Sequence, residues 1–488
     1  MITFGDTFDK VKQCFEKPEI ESRLKPNLES VTIIRDVYGK IRLFLEPKKI
    51  TEDTEDTEDT EDDGSQKSIK LDSSDISKLK QFLNEELGSY YDNDIWSPEP
   101  EGKQDGYQAL INVITTKRIP AEWDQENIYP HWYILERHIA KHTWTNSNSG
   151  NPPWETEEVY SGDKPAIITF FSFKGGVGRT TALVATALTL ARNGHRVAIV
   201  DLDLEAPGLS SIFSPDNPKP FGVIDYLLEK KIQSNNWSLR DHILTINDPL
   251  LIGDLGEELY LLSAGTVDNN YLEKLARLDF QNLIDHQLPK TFQEMLKEIE
   301  SDKRPLDFIL LDSRAGFHDI GGLALTDLSH AAVIFGRQSE QSWAGLTPVI
   351  RRLSRPLAPE GEKQLPVVLV HAMSPSVRET ARYGEYEAFN LRSYQTFTEN
   401  YYYADDAVPN LGDEVAPFTA LTIPLQDGLQ GDISLFIRDE SNAEKINAEK
   451  RRLQDLINLM TNEYYTIIAQ RLCNLFVKNF NGLNEEII

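Results

Sequence analysis

The stretch that most constrains the fold is residues 166–181, which read AIITFFSFKGGVGRTT. A run of β-branched and aromatic residues, typical of a buried strand, stops in closely spaced glycines, and a helical pattern follows. Backbone N–H groups in such a loop turn towards one anion, and the N-terminus of the following helix adds its partial positive charge. The order of strand, glycine loop and helix therefore predicts a phosphate-binding loop.

The loop departs from the usual P-loop pattern GxxxxGK[ST] at two positions. Phe173 stands where the first glycine is expected, and Arg179 stands where the lysine is expected. Thr180 keeps the hydroxyl that such loops offer to magnesium. The alternative, a glycine-rich turn that binds nothing, is disfavoured by the strand and the helix on either side.

Lys174 accounts for these departures from the usual P-loop pattern. The run Lys-Gly-Gly-Val-Gly, followed by a basic residue and threonine, resembles the deviant P-loop of the ParA/MinD class of ATPases, and more narrowly the branch whose motif reads KGGVGR. The resemblance implies ATP and Mg²⁺ as ligands and a homodimer that closes around the nucleotides, with the early lysine reaching the partner's nucleotide. It implies catalytic roles for Lys174 and Arg179, and nucleotide binding by Gly175, Gly176, Val177, Gly178, Arg179, Thr180 and Thr181.

The segments after the loop predict the fold class. A helical pattern over 180–192 and a buried strand over 197–202 complete a βαβ unit, whose crossover requires parallel strands with helices on the faces of the sheet. Further buried strands are predicted at 331–335 and 366–371. We therefore expect an α/β, doubly wound, mostly parallel P-loop NTPase domain.

Acidic residues follow two of the buried strands. Asp201 and Asp203 lie at the carboxyl end of the strand over 197–202, and Asp312 follows the apolar run that begins after Asp307. Ligands of open α/β sheets bind at this end of the strands. The resemblance implies that Asp203 orients the attacking water, and that Asp201, Asp312 and Thr180 support the magnesium site.

Two more turns match the class. The resemblance implies that the backbone N–H of Gly316 senses the γ-phosphate, while Arg314 in the same turn either pairs with phosphate or a partner, or lies at the surface. Ile423 and Pro424 resemble the turn that contacts the nucleotide base through backbone atoms. The class usually carries a base-contacting asparagine after the strand that ends here in His371, so the base preference stays open.

The first part of the chain, residues 1–145, predicts a small α+β domain. Alternating residues at 29–45 predict a hairpin, and a serine-capped apolar stripe predicts a helix from Ser73 to about residue 90. A short strand is predicted at 109–115. The Thr-Glu-Asp repeat at 51–63 cannot bury apolar surface and predicts a disordered loop.

A helix is also predicted at 130–144, where His138 and His142 stand four residues apart. Two imidazoles at that spacing can share a metal, but no third ligand is evident, so a packing or surface helix is favoured over a zinc site. Residues 146–164, rich in Asn, Ser, Gly and Pro, predict a linker to the nucleotide domain at 165–440.

The last segment, 441–488, predicts one long helix over 443–480, with apolar residues at steps of three and four. Its polar face mixes acids and bases. This mixture favours packing on the domain or on a dimer partner over a membrane-targeting tail.

The net charge of −28 makes nucleic acid an unlikely partner, because broad DNA binding requires a positive face. Arg351, Arg352 and Arg355 are the best candidates for such a face, although a solvated helix end is the favoured explanation for them. No run of eighteen apolar residues and no secretion signal is read. We therefore expect no membrane association and a cytoplasmic protein, and Cys14 and Cys473 at opposite ends suit a reducing compartment.

The motifs together predict an ATP-binding ATPase that hydrolyses slowly and acts as a nucleotide-dependent dimerisation switch, positioning or regulating an unidentified protein partner. Hydrolysis is expected to be slow because the planar guanidinium of Arg179 follows a transferring phosphate less well than a lysine ammonium does. The alternative is a nucleotide-sensing subunit that does not hydrolyse ATP and regulates a multiprotein assembly, for example in bacterial defence.

Two other classes have less support. A bacterial tyrosine kinase of related P-loop type gains only from the tyrosines at 401–403 and 464–465. Electron transfer through a bridging iron–sulfur cluster requires cysteines near the dimer face. Neither cysteine lies in the predicted nucleotide domain.

Overall fold

The computed structural model describes residues 2–49, 68–98, 107–125, 127–138, 141–145, 151–214, 219, 221–233, 238–278, 288–300, 305–354, 364–375, 383–402 and 407–481. The chain divides into two compact units, Met1–Ile139 and Ala140–Ile488. The acidic repeat at 51–63, together with Arg355 and Tyr403, lies outside the described residues.

The first unit is built on a five-stranded sheet. Its strands are β1 (Leu28–Arg35), β2 (Ile41–Pro47), β3 (Tyr91–Trp96), β4 (Ile119–Pro120) and β5 (His131–Glu136), in the order β3–β2–β1–β5–β4. Strands β1 and β2 pair antiparallel, with Ile33 opposite Leu43, while β1 and β5 run parallel. The hairpin predicted at 29–45 is confirmed.

Helices cover both faces of this sheet. They are α1 (Thr7–Phe15), α2 (Pro18–Arg23), α3 (Ser73–Leu87) and α4 (Tyr107–Lys117). Helices α1 to α3 form one core with the sheet, and α4 forms a smaller core on Ile34 and Phe44. Helix α3 begins where predicted, but its cap is Asp72, whose side chain accepts a hydrogen bond from the N–H of Ser74.

Two predictions in this unit are wrong. The segment 109–115 is not a strand but part of helix α4, because Ile111 and Ile114, three residues apart, are its buried positions. The segment 130–144 is not a helix, since residues 131–136 form β5 in parallel register with β1. Residues 137 and 138 lie outside any helix, so the helical pattern from which a shared metal was considered does not form at His138.

The second unit contains an eight-stranded sheet. Its strands are β6 (Ala166–Ser172), β7 (Val197–Asp201), β8 (Leu244–Ile246), β9 (Leu259–Leu262), β10 (Phe308–Asp312), β11 (Ala331–Gly336), β12 (Val367–Ser374) and β13 (Leu421–Pro424). The order is β13–β12–β11–β6–β10–β7–β9–β8, and every neighbouring pair is parallel except β8 with β9. The predicted α/β fold class is confirmed.

Helices flank this sheet. They are α5 (His142–Thr145), α6 (Thr156–Tyr160), α7 (Arg179–Arg192), α8 (Leu209–Phe213), α9 (Val223–Gln233), α10 (Pro249–Ile252), α11 (Asn269–Leu275), α12 (Leu288–Glu300), α13 (Asp319–Leu323), α14 (Glu340–Leu353), α15 (Tyr383–Asn400), α16 (Ala443–Met460) and α17 (Glu463–Leu475). Strand β6 is buried along its whole length between β10 and β11, which places the loop after it at the middle of the sheet edge.

Two stretches differ from their predicted roles. Residues 141–145, assigned to the N-terminal domain, pack within the second unit, where the Trp144 indole donates to the His318 carbonyl at 2.8 Å. The predicted linker contains α6 and the buried Trp154.

The single C-terminal helix predicted over 443–480 is wrong. It is two helices, because Asn462 interrupts the pattern and caps α17 by accepting a hydrogen bond from the N–H of Tyr464. Helix α17 packs on α7. In the described part of the chain, no helix combines the length and apolar character that a membrane crossing requires.

His195 contacts both helix α17 and the segment that follows it. Its Nε2 lies 2.7 Å from the Asn479 carbonyl oxygen and 3.6 Å from the Cys473 sulfur, and its Nδ1 lies 3.6 Å from Asp307 Oδ2. Burial alone would lower the pKa of His195, but the hydrogen bonds to Asp307, Cys473 and Asn479 outweigh burial and raise the pKa from 6.5 to about 10.

This shift predicts a pH dependence. Because the pKa of His195 is higher in the folded state, its stabilisation is complete below about pH 6.5 and is lost as the pH rises through about 10. We expect the free energy of unfolding, measured in urea, to decline across this window, and His195→Gln to remove that part of the decline. His131→Gln, in the first unit, is the control. Equal slopes for wild type and His195→Gln would contradict the assignment.

Candidate nucleotide-binding site

The glycine loop connects β6 to α7 and lies open. Gly176 and Gly178 have φ angles of +70° and +79°, which side-chain-bearing residues rarely adopt. A Cβ atom at Gly175, Gly176 or Gly178 would meet nothing within 4 Å, so the space above the loop is free. Gly178 is the N-cap of α7 and supplies no side-chain cap, which leaves the first-turn N–H groups for an anion.

Phe173 fits without the first glycine because its ring turns into the domain. A Cβ at Gly345, on α14, would lie 2.0 Å from the Phe173 ring, and the Phe317 ring centroid is 5.1 Å away. Gly345 is therefore the residue that makes room for Phe173. Sequence reasoning missed it because the two positions are far apart in the chain.

Arg179 joins two acids that come from different strands. Its Nε donates to Asp312 Oδ1 at 2.7 Å, and its terminal nitrogen donates to Asp203 Oδ2 at 3.3 Å. The arginine is only 8% exposed. The residue that replaces the P-loop lysine is thus held between the carboxylates at the ends of β10 and β7.

Thr180 completes this group, since its hydroxyl donates to Asp312 Oδ2 at 2.7 Å. A hydroxyl and a carboxylate are oxygen ligands of the kind that Mg²⁺ prefers. Among the described residues, no three His, Cys, Asp or Glu side chains form a metal-holding group. Thr180 and Asp312 therefore fit a magnesium ion that arrives with phosphate oxygens, because Mg²⁺ commonly uses one or two protein ligands together with substrate phosphates.

Asp201 is fully buried beside this group and shapes the following loop. Its Oδ1 accepts from the N–H of Asp203, and its Oδ2 accepts from the N–H groups of Gly208 and Leu209, all at 3.1 Å. Burial and the neighbouring Asp312 raise the pKa of Asp201, and burial also raises that of Asp312, which Arg179 opposes. Asp201 thereby positions Asp203; a role in holding magnesium stays a prediction.

The turn after β10 is fastened to β6, because the N–H of Gly316 donates to the Ser172 carbonyl at 3.1 Å. In this turn Arg314 lies 2.6 Å from Glu205 Oε2, and His318 Nε2 lies 2.8 Å from Glu205 Oε1. Sequence reasoning missed Glu205 and His318. The only sequence signal for these two residues was that Glu205 is an acid two positions after Asp203.

The remaining predicted residues lie apart from this group. Ile423 and Pro424 belong to β13, at the edge of the sheet and three strands from β6, so a base-contacting role stays a prediction. His371 is buried and stacks on Phe389 with ring centroids 3.9 Å apart, which commits it to the core. The Lys174 ammonium lies 5.5 Å from the Phe173 ring centroid.

The open glycine loop, the hydroxyl on a strand-end acid and the mostly parallel sheet define a P-loop domain. Residues 165–355 match a family model described as an AAA domain. The predicted resemblance of this part of the chain to ParA/MinD-like P-loop ATPases is confirmed by its similarity to MinD proteins, including a septum site-determining protein MinD of Helicobacter pylori at 25% identity over 150 residues, or 31% of this chain and 45% of that protein.

Particular relatives agree with this class. The chain is 26% identical over 160 residues to a cytosolic Fe-S cluster assembly factor, CFD1, of Candida albicans, covering 31% of this chain and 47% of that protein. It is 27% identical over 168 residues to a putative septum site-determining protein MinD of Chlorella vulgaris, covering 34% and 49%. It spans less than half the length of these curated relatives.

Among solved structures, a ParA family ATPase from Chlorobium tepidum TLS is similar to the chain. It is 16% identical, with 64% of this chain and 99% of that one covered and a TM-score of 0.39.

Proposed function

We propose that the chain binds ATP with Mg²⁺, hydrolyses it slowly, and uses the nucleotide as a switch between monomer and homodimer that positions or regulates a protein partner. The observation that carries the proposal is the meeting of Arg179, Thr180 and Asp312 beside an open glycine loop. The proposed nucleotide domain is 165–440.

The proposed roles follow from the geometry of the chain's own groups. The N–H groups from Gly175 to Thr181 bind the phosphates, and Thr180 and Asp312 hold the magnesium ion. When bound, magnesium neutralises charge on the phosphate oxygens. Asp203 orients the attacking water. Asp312 accepts from Arg179 through Oδ1 and from Thr180 through Oδ2, and each carboxylate oxygen keeps further acceptor capacity for a metal ion.

Arg179 is also the reason for slow turnover. Its guanidinium binds phosphate well but is planar and rigid, and it starts from bonds to two acids instead of from a free position. One misplaced charge donor in a transition state ordinarily lowers the rate by about 10² to 10³.

We propose the dimer because of Lys174 and because of the resemblance to the ParA/MinD class. Lys174 is half-buried beside the exposed Gly175 and Gly176, where a second subunit has access to it. The first unit lies outside the residues that match the family model, so we assign it to recognition of the unidentified protein partner.

We do not propose for this chain the iron–sulfur cluster assembly that the names of some relatives state. Cys14 and Cys473 are both buried and belong to different units. Burial raises the pKa of Cys14 to about 12, which disfavours the thiolate that ligates metals.

A second candidate is a nucleotide sensor that does not hydrolyse ATP and regulates a larger assembly, for example in defence. It is favoured by one observation: Arg179, at the position of the P-loop lysine, is committed to Asp203 and Asp312. Turnover measured with and without candidate partners separates the two.

We expect calorimetry to show Mg²⁺-dependent ATP binding by the full chain, strongly weakened in Arg179→Ala because the buried Asp312 and the neighbouring Asp203 then lose their counter-charge. Asp203→Ala should keep binding and lower turnover by about 10² or more, and Arg179→Lys should keep binding. The control is Arg392→Ala, at an exposed position of α15. Unchanged ATP affinity in Arg179→Ala would refute the assigned role.

Light scattering tests the switch itself. We expect the mass of the full chain to double with ATP and Mg²⁺ but not with ADP, and Lys174→Ala to stay monomeric because the charge that reaches the second nucleotide is gone. Lys450→Ala, at an exposed position of α16, is the matched control. A mass that does not respond to ATP argues for the sensor without dimerisation.

A further inference from the structure

Arg314 is a second guanidinium at the site, and the sequence left open whether it pairs with phosphate, pairs with a partner or lies at the surface. Its NH1 lies 2.6 Å from Glu205 Oε2 and 4.0 Å from Asp203 Oδ1, with 30% of the side chain exposed. Together with Arg179 it places Asp203 between two arginines. The inference below rests on the proposed ATP binding.

The ion pair of Arg314 is poorly suited to a purely structural role. The Glu205 side chain is 41% exposed, and it is shared between Arg314 and His318. Solvent-exposed ion pairs contribute little to stability. The pair of Arg179 with Asp312 differs, since those side chains are 9% and 3% exposed.

The charges around Asp203 indicate which kind of ligand suits Arg314. A terminal phosphate beside the water-orienting carboxylate of Asp203 brings two like charges together, and a cation between them is needed. The P-loop lysine that would supply it is absent, and Arg179 is committed to Asp203 and Asp312. Arg314, on the turn fastened to the end of β6, is the remaining guanidinium within 4.0 Å of Asp203 among the described ion pairs.

We propose that Arg314 binds the terminal phosphate of a nucleoside triphosphate, within the same chain, and that Glu205 holds Arg314 back in the nucleotide-free protein. Arginine suits this task because its fork of donors matches phosphate oxygens. The arrangement makes Arg314 the residue that distinguishes a triphosphate from a diphosphate. It also makes Glu205 a competitor of the phosphate for the same donors.

The test compares ATP and ADP affinity by calorimetry on the full chain with Mg²⁺. We expect Arg314→Ala to weaken ATP binding by about tenfold or more, because a hydrogen bond between charged groups is lost, and to leave ADP binding within about twofold. Glu205→Gln should act in the opposite direction and raise ATP affinity relative to ADP. Arg314→Lys should recover part of the ATP preference, and Arg392→Ala should change neither affinity.

Each outcome bears on the proposal. If Arg314→Ala and Glu205→Gln both weaken ATP and ADP equally, the pair only supports the loop and the inference is wrong. If wild type prefers ATP and Arg314→Ala keeps that preference, the inference fails while the proposed function stands. If wild type binds neither nucleotide, the proposed function fails and the inference falls with it.

Discussion

The site depends on one arginine holding together acids that would otherwise repel each other. Asp312 and Asp201 are both buried, and their neighbouring strands set them directly opposite one another in register. Burial and mutual repulsion disfavour the ionised forms of two carboxylates in that position and raise their pKa values, and a nearby cation opposes that rise. Arg179 is that cation in the nucleotide-free chain, and its bond to Asp312 also places Thr180 and Asp203 around the loop.

The sheet explains why these groups meet. Strand β6 lies between β10 and β11, and β7 lies beyond β10, so parallel strands bring the loop and the acids to one edge. Asp201 then turns the chain after β7 through three backbone hydrogen bonds, which fixes Asp203 next to Arg179. The fold thus brings several carboxylates together, and the positive side chain at position 179 offsets part of their charge.

The parts that sequence reasoning found are those with a local cause. The loop between β6 and α7 and the strand-end acids Asp203 and Asp312 follow from short patterns whose geometry does not depend on distant residues. The predictions were wrong where tertiary packing decided whether a segment forms a helix or a strand. The short apolar run at 109–115 suits a strand or a helix equally, and the segment at 131–136 becomes a strand because β1 offers an edge to pair with.

Contacts made by single side chains account for the other features that the sequence did not predict. Asn462 divides the C-terminal helix by capping, which a periodic apolar pattern does not reveal. Gly345 accommodates Phe173, and Glu205 binds Arg314 and His318, through contacts between segments far apart in sequence. The residues that tune the site are therefore the least visible in the chain, while those that define its class are the most visible.

The central claim is that Arg179 stabilises the buried acid Asp312 in the nucleotide-free chain. A double-mutant cycle with Arg179→Met and Asp312→Asn, measured by urea unfolding without nucleotide, tests it most directly. We predict that Arg179→Met alone destabilises by about 3 kcal/mol or more, because it leaves a buried acid without its cation, and that adding Asp312→Asn recovers much of the loss. The exposed pair Arg277 and Glu273 is the control, for which near-additive effects are expected. Additive losses at Arg179 and Asp312 would contradict the account.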